Sequence, residues 1–196
     1  MLQRIITITV LISYFCLPLI SQEGDMALRT GSQLTIHGES NINKFNCRYS
    51  FNKPEDSLTF DIISKGEEII MRNVQLSIPI KQTDCGNRFL NKDFRATLDA
   101  ERHPNISIRI NRLPLPRFAG SGLKKSIRAK ITVAGVTRWE QIDYKISLVD
   151  DYVFNMKGNL TINTESFDIE KQKRFLGAVK VSNEVDISFL FKFGDN

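Results

Sequence analysis

Histidine is scarce in this sequence, and the residue groupings that mark most catalytic and metal sites are missing. The two histidines, His37 and His103, lie far apart, with no His-x-His or Cys-x-x-Cys spacing that suits a metal ion. No Gly-x-Ser-x-Gly elbow, phosphate-binding glycine loop or pair of catalytic carboxylates stands out. The sequence therefore gives no support for an enzyme, and it predicts neither a metal nor another cofactor.

Long runs of one charge are also missing. The chain has 27 Lys and Arg against 22 Asp and Glu, a formal net charge of +5, and both signs are spread along it. A nucleic-acid-binding surface would cluster basic residues among exposed aromatics, and the sequence shows no such cluster. We therefore expect no nucleic-acid partner, whereas a weak peripheral contact with anionic membranes is compatible with the mild positive charge.

The first 21 residues differ in character from the rest. One positive charge in Met1–Arg4 precedes the mostly apolar Ile5–Ile20, which is too short and too rich in Ser and Thr for a convincing membrane span. The sequence then turns polar at SQEGD. This pattern predicts a secretory signal peptide cleaved near Ser21, so we expect residues 22–196 to form one domain that is periplasmic or secreted. An uncleaved anchor is the alternative.

Two cysteines lie outside that segment, Cys47 and Cys85. In an oxidising compartment, an even number of cysteines indicates a disulfide. Such a bridge would close a loop of roughly 40 residues and contribute about 4 kcal/mol in the chain-entropy model. Two separate buried thiols are the alternative.

Apolar and polar residues alternate along most of the chain. In the closing stretch EVDISFLFKF the apolar members are Val185, Ile187, Phe189, Phe191 and Phe193. Alternation is typical of a β-strand with one buried and one exposed face. Similar runs, separated by turn signals, predict an all-β antiparallel meander of about eight strands. Such a meander either closes into an up-and-down β-barrel or splits into two packed sheets.

One segment has a different period. Leu90, Phe94 and Leu98 in RFLNKDFRATLDAE are four apart, which predicts one helix after the fourth strand. Asn91 is the expected N-cap and Pro104 the stop. His103 is then expected at the helix C-terminus, with a hydrogen-bond donor near a pocket mouth as the alternative.

Two smaller expectations concern a loop and a histidine. The stretch RLPLPRFAGSGLKK, with its prolines and glycines, predicts an irregular loop that is a candidate rim or lid. His37, beside Ile36 in the first strand, is expected on the exposed face.

Four segments together resemble the YceI-like family. They are LTIHGESNINKFNC, SIPIKQTDCGNRFLNKDFRATLDAERHPNISIRI, KITVAGVTRWEQIDYKIS and NLTINTESFDI. The resemblance extends from about Thr30 to Phe193. It implies an exported, lipocalin-like antiparallel barrel, typically bacterial and periplasmic, that binds a polyisoprenoid or another long amphiphile inside. A subset of the family has cysteines at the places of Cys47 and Cys85, which supports the disulfide.

This resemblance turns the inward apolar residues into candidate ligand contacts. Aromatic residues and a methionine suit a flexible hydrocarbon chain. The expected lining residues are Phe60, Ile62, Leu76, Ile78, Phe154, Met156, Leu160, Phe189 and Phe191. Basic residues expected in connecting segments, Arg117, Lys124, Lys125 and Arg174, are candidates for an anionic head group.

The leading hypothesis is a noncatalytic, exported binding protein for a lipid or isoprenoid. The alternative is a solid barrel without a ligand, in which bulky residues such as Ile78 and Ile80 fill the interior, and which acts as a protein- or envelope-interaction module. A third hypothesis, an outer-membrane barrel, requires a polar interior and a lipid-facing exterior. The charged residues on the predicted exposed faces argue against it.

Overall fold

A computed structural model describes residues 26–41, 43–52, 58–65, 68–116, 123–150, 153–169 and 182–195. The predicted signal peptide, residues 1–21, lies outside the described residues.

The described chain is mostly β-structure. Its ten strands are β1 (Met26–Leu28), β2 (Ser32–Glu39), β3 (Lys44–Phe51), β4 (Thr59–Lys65), β5 (Glu68–Pro79), β6 (Asn105–Leu115), β7 (Leu123–Val133), β8 (Val136–Asp150), β9 (Val153–Asn163) and β10 (Glu184–Asp195). One α-helix, α1 (Arg88–Thr97), lies between β5 and β6, after the fourth long strand as predicted. No helix in these parts of the chain is long and apolar enough to cross a bilayer.

The strands form one antiparallel sheet in the order β3-β2-β10-β9-β8-β7-β6-β5-β4, and β1 adds to β10. Strands that follow one another from β4 to β10 are neighbours, and β10 pairs with β2, which brings the end of the chain back to its start. The predicted all-β, up-and-down antiparallel fold is therefore confirmed. In the described residues β3 and β4 are the edge strands and do not pair with each other. We call the gap between them the seam.

The seam is bridged at one place. The backbone N–H of Arg48 in β3 donates to the carbonyl of Asp84 (2.7 Å), and the N–H of Asp84 donates to the carbonyl of Arg48 (2.9 Å). Beside this bridge Cys47 and Cys85 form the predicted disulfide. Because Asp84 and Cys85 follow β5, and β5 pairs with the edge strand β4, these bonds tie the two ends of the curled sheet together.

The buried faces of the strands meet in a single hydrophobic cluster to which β2, β3, β5–β10 and the segment after α1 contribute. Alternation accounts for this, since every second residue of a strand points to the same side of the sheet. Among the described residues, the buried polar side chains are Ser32, Thr35 and Thr83, and none of the buried residues is charged. The apolar faces therefore lie inside the curl, opposite to the arrangement of an outer-membrane barrel.

The helix forms where the four-residue spacing predicted it, but its cap is different. Leu90 and Phe94 pack against the core cluster, and Leu98, just past the last turn, is buried. The N-cap is Asn87, whose side-chain oxygen accepts from the backbone N–H groups of Phe89 and Leu90. The expectation that Asn91 caps the helix was wrong.

Asn91, in the first turn of α1, instead forms two hydrogen bonds to the segment that precedes the helix. Its side-chain oxygen accepts from the backbone N–H of Cys85 at 2.6 Å, and its amide donates to the carboxylate of Asp84 at 3.0 Å. This bond, together with one from the Gly86 N–H, lowers the pKa of Asp84. Asn91 thus fastens the helix to the segment that carries the disulfide.

Replacing Asn87 by alanine should lower the free energy of unfolding by about 1 kcal/mol, because two N–H groups of the first turn lose their acceptor. Urea unfolding followed by circular dichroism measures the change. Asn87→Asp keeps the acceptor and should stay close to the unchanged protein. Equal losses in both variants would contradict this role for the side chain.

Two further expectations need correction. His103 does not end the helix, which stops at Thr97; its ring instead lies over Gly135 in the tight β7–β8 turn, where a Cβ added to the glycine would come within 2.6 Å of the ring. This glycine has a φ of +81°, a conformation that favours glycine. The irregular loop predicted from the prolines is shorter than expected, because Pro114 lies in β6 and Lys124 in β7.

Candidate functional site

The inward side of the curled sheet is the candidate site, and all nine predicted lining residues lie on it. They come from four strands: Phe60 and Ile62 from β4, Leu76 and Ile78 from β5, Phe154, Met156 and Leu160 from β9, Phe189 and Phe191 from β10. Each is part of the core cluster or packs against it. The structure therefore brings the predicted set together on one side of the sheet.

The nine residues differ in burial. Ile78 and Phe154 are each 1% exposed, and Met156 is 3% exposed, so neighbouring side chains enclose them. Phe60, Ile62 and Phe191 are only partly buried. The second group has surface left that another molecule can contact, whereas the first group behaves as core.

Aromatic rings fill the part of the inward side formed by β3 and β10. The rings of Phe189 and Phe191 are stacked with centroids 4.7 Å apart, and Phe51 of β3 meets Phe191 edge-on at 5.5 Å. Ser32 of β2 lies opposite Phe51 in the register and is fully buried, so its small side chain leaves room for the two rings to meet. Apolar rings thus extend from β10, the third strand from the seam, to the edge strand β3.

Gly158 explains where the Phe189 ring lies. The two residues are opposite each other in the β9–β10 register, and a Cβ at Gly158 would come within 2.4 Å of the ring. It would also come within 2.5 Å of the carbonyl oxygen of Asp143. The missing side chain lets the Phe189 ring lie against the backbone of β9.

The inward side carries few polar groups, and two of them are neighbours. Tyr144 is 4% exposed, and burial raises the pKa of its phenol. Directly opposite it in the β7–β8 register lies the partly buried Lys125, on the same side as Ile127 and Ala129. This pair combines a cation and a hydroxyl at the border of an apolar surface.

The four candidate head-group residues do not form one site. Lys124 and Lys125 lie in strand β7 rather than in a connecting segment, and as consecutive strand residues they point to opposite sides of the sheet. Arg117 and Arg174 lie outside the described residues. Only Lys125 therefore has a described position beside the inward side.

Phe51 and Tyr144 are among the contributors to the inward side that were not predicted as site residues. Each continues an alternating run, FNCRYSF in β3 and IDYKI in β8, so periodicity placed both on a buried face. Which buried residues border the seam depends on strand order, and alternation does not contain that information.

Other chemistry in the described part of the chain is limited. No group of three or more His, Cys, Asp or Glu side chains there could hold a metal ion. His37 is exposed as expected, and its ring nitrogens are hydrogen-bonded to Asn46 and Ser188, each at 2.8 Å. This histidine links three neighbouring strands on their outward face.

The curled antiparallel order and the apolar inward side define a small β-barrel protein of the lipocalin-like class. A family model for the YceI-like domain matches residues 28–193. The chain belongs to the YceI-like family.

Solved structures show the same fold. A polyisoprenoid binding domain from Saccharophagus degradans superposes with a TM-score of 0.68 at 15% identity, covering 89% of this chain and all of that one (100%). BcnA from Burkholderia cenocepacia gives a TM-score of 0.59 at 15% identity, covering 82% and 95% of the two chains. A YCEI protein from Campylobacter jejuni gives 0.54 at 12% identity, covering 71% and 82%. No curated protein matches the sequence.

Proposed function

We propose that this protein is an exported, noncatalytic carrier that holds a long apolar or amphiphilic molecule, a polyisoprenoid or another lipid, on the inward side of its barrel. The observation that carries the proposal is the composition of that side, since none of the buried residues described is charged. A hydrocarbon chain is held by burial alone and needs no hydrogen-bond partners. The buried part of this side offers no ionised group for acid–base or nucleophilic catalysis.

The relatives supply the first candidate ligand. The Saccharophagus degradans structure is described as a polyisoprenoid binding domain, and it covers 89% of this chain. A polyisoprenoid is therefore the first molecule to test, with other long lipids next.

Export is supported by two independent features. Residues 1–21 have the pattern of a signal peptide. The bond between Cys47 and Cys85 is of the kind that persists in the periplasm or outside the cell and is rare in the cytosol. We therefore propose a periplasmic or secreted protein whose mature domain is residues 22–196.

The seam is the proposed entrance for the ligand. Phe60 and Ile62 lie on β4, one of its two edges, and both retain exposed surface. Phe51, on the other edge, contacts the partly buried Phe191. An apolar chain that enters here can contact the exposed surface of Phe60, Ile62 and Phe191, whereas Phe51 is enclosed. The disulfide holds these edges together at one end.

Lys125 is the proposed contact for a polar head group. Its ammonium can donate charge-assisted hydrogen bonds to a phosphate or another anionic group, whereas Tyr144 opposite it is enclosed. The position of Lys125 beside the apolar side suits an amphiphile whose tail is buried and whose head stays near water. Lys124 faces outward and takes no part in this contact.

Removing the Phe191 ring should weaken binding of a fluorescent polyprenol analogue to the delipidated protein by about tenfold or more, because burying such a ring is worth about 1.5–3 kcal/mol. Phe89→Ala is the matched control, since Phe89 is 64% exposed on α1. Lipid extraction and native mass spectrometry of the purified protein should also release a bound apolar molecule. An empty protein that also fails to bind the analogue would refute the carrier function.

A solid barrel that acts as an interaction module is the second candidate. It is favoured by the exposed ring of Phe89, which lies in the first turn of α1 with the Arg88 guanidinium 4.8 Å from its centroid. Exposed rings paired with arginine are frequent anchors in protein interfaces. Under this function, Phe89→Ala would abolish capture of an envelope protein by the delipidated barrel, while Phe191→Ala would leave it unchanged.

A further inference from the structure

Three lysines stand side by side on the outward face of the sheet. The register places Lys124 of β7 opposite Lys145 of β8, and Lys145 opposite Lys157 of β9. Neighbouring strands are about 4.8 Å apart, so the three side chains start within about 10 Å of one another. All three are exposed. We call them the lysine row.

The lysine row forms one wall of a groove that crosses five strands. The row continues through Leu190 of β10 to Gln33 of β2. The next outward row forms the other wall and consists of Ser126, Asp143, Asn159, Ser188 and Thr35. Residues of both rows line a concavity of about 830 Å³. Lys125, Tyr144, Gly158 and Phe189, which lie between the two rows along their strands, also line it.

The stability of the folded sheet does not explain why three lysines lie side by side. Like charges directly opposite each other across strands are destabilising, and lysine is depleted in strands. Among the described residues, the ion pairs join other side chains, and none includes a member of the row. Lysines can protect a free sheet edge, but Lys145 and Lys157 lie on β8 and β9, which have neighbours on both sides.

The opposite wall adds little charge. Its one acid is already engaged, since the Asp143 carboxylate accepts from the Ser126 hydroxyl and from the Gln141 amide, and the Ser188 hydroxyl is hydrogen-bonded to His37. The three lysines, Lys125 and Asp143 together leave three positive charges in the lining unmatched. The groove therefore attracts a compact dianion.

We propose that this groove binds a phosphate monoester group, with Lys145 as the central contact and Lys124 and Lys157 on either side. Lysine binds phosphate as a point charge, and charge-assisted bonds of this kind are stronger than neutral ones. The same group can come from a soluble phosphate or from the head group of a lipid in a membrane. The three lysines point to the outward face of the sheet, whereas the proposed lipid site is on the inward side, so the phosphate proposal does not depend on the carrier function.

The test compares Lys145→Gln with Lys92→Gln, which removes the same charge from the exposed side of α1. Each protein is titrated with inorganic phosphate and followed by thermal unfolding, since a ligand that binds the folded state raises the melting temperature. Each is also mixed with phosphatidylcholine vesicles that contain or lack phosphatidic acid. Lys145→Gln should weaken binding by about tenfold, and Lys92→Gln should leave it unchanged.

Without phosphate, Lys145→Gln should also melt at a higher temperature than the unchanged protein, because it relieves the repulsion in the row. Binding of inorganic phosphate identifies a soluble ligand, whereas binding only to phosphatidic acid vesicles identifies a lipid head group. Polyprenol binding should be the same in all three proteins, which separates this site from the carrier function. No binding in either arm, or equal losses in the two variants, would overturn the proposal.

Discussion

Replacing both Cys47 and Cys85 by alanine is expected to lower the free energy of unfolding by about 4 kcal/mol. The disulfide joins residues 38 apart in sequence, and in the chain-entropy model its main effect is to restrict the unfolded chain. It also holds β3 to the segment after β5, next to the backbone bridge between Arg48 and Asp84. Guanidinium unfolding of the oxidised protein, the reduced protein and the double variant measures the loss.

Reduction of the unchanged protein is the internal control, because it removes the bond without changing the sequence. The reduced protein and the double variant should agree, and the backbone N–H groups of Arg48 and Asp84 should exchange hydrogen faster in both. Exchange in the β7–β8 hairpin, which lies away from the seam in the strand order, should change least. A double variant within about 1 kcal/mol of the oxidised protein would show that the disulfide does not hold the seam.

The sequence predicted the strands well because the signal for them is local. In β10, Val185 to Phe193 alternate between apolar and polar residues except at Leu190, and one exposed face per strand is enough to generate such a pattern. The pairing of strands is not local. Nothing in the alternation of β3 and β4 indicates that these two consecutive strands remain apart, so the seam could be found only from the structure.

The helix cap, like the pairing of strands, could not be predicted from local sequence alone. The spacing of Leu90, Phe94 and Leu98 predicted the helix, but Asn87 and Asn91 are both residues that cap helices. The choice between them depends on a tertiary contact. The side-chain oxygen of Asn91 accepts a hydrogen bond from the backbone N–H of Cys85, so Asn87 caps the first turn instead.

The sequence predicted which residues of the candidate site point inward. It did not predict which of them keep surface that a ligand can contact. A filled core and the wall of a lipid site both require apolar side chains, so composition does not separate Ile78 from Ile62. Burial in the folded chain separates them, with Ile78 enclosed and Ile62 partly exposed.

Part of the lysine row could have been predicted from the sequence by counting residues outward from a hairpin turn. The tight turn at Ala134 and Gly135 fixes β7 against β8, and counting outward from it places Lys124 opposite Lys145. The β8–β9 register shifts between Leu148 and Asp150, so the same count from that connection would place Lys145 opposite Gly158, and its pairing with Lys157 could be found only from the structure. Net charge and charge runs did not show this row, because its members are separated by one or two strand lengths in sequence.

The second large effect is expected from Phe154→Ala, which should lower the free energy of unfolding by about 4 kcal/mol. The Phe154 ring is 1% exposed and stacks on Phe193 with the centroids 5.5 Å apart. Its removal leaves a cavity among enclosed neighbours and also ends the stacking contact. Phe89→Ala removes the same atoms from an exposed position and should change stability by less than about 0.5 kcal/mol.

Comparing Phe154→Ala with Phe191→Ala also distinguishes residues that contact the lipid from residues that belong to the core. Phe191 is partly exposed, so its truncation should lower stability less than that of Phe154 and polyprenol binding more. If Phe154 is core, an added polyprenol will stabilise Phe154→Ala no more than it stabilises the unchanged protein. If the ligand fills the new cavity, that stabilisation will instead be larger than in the unchanged protein. We expect the first result, because the neighbours that enclose Phe154 leave a ligand no surface of its ring to contact.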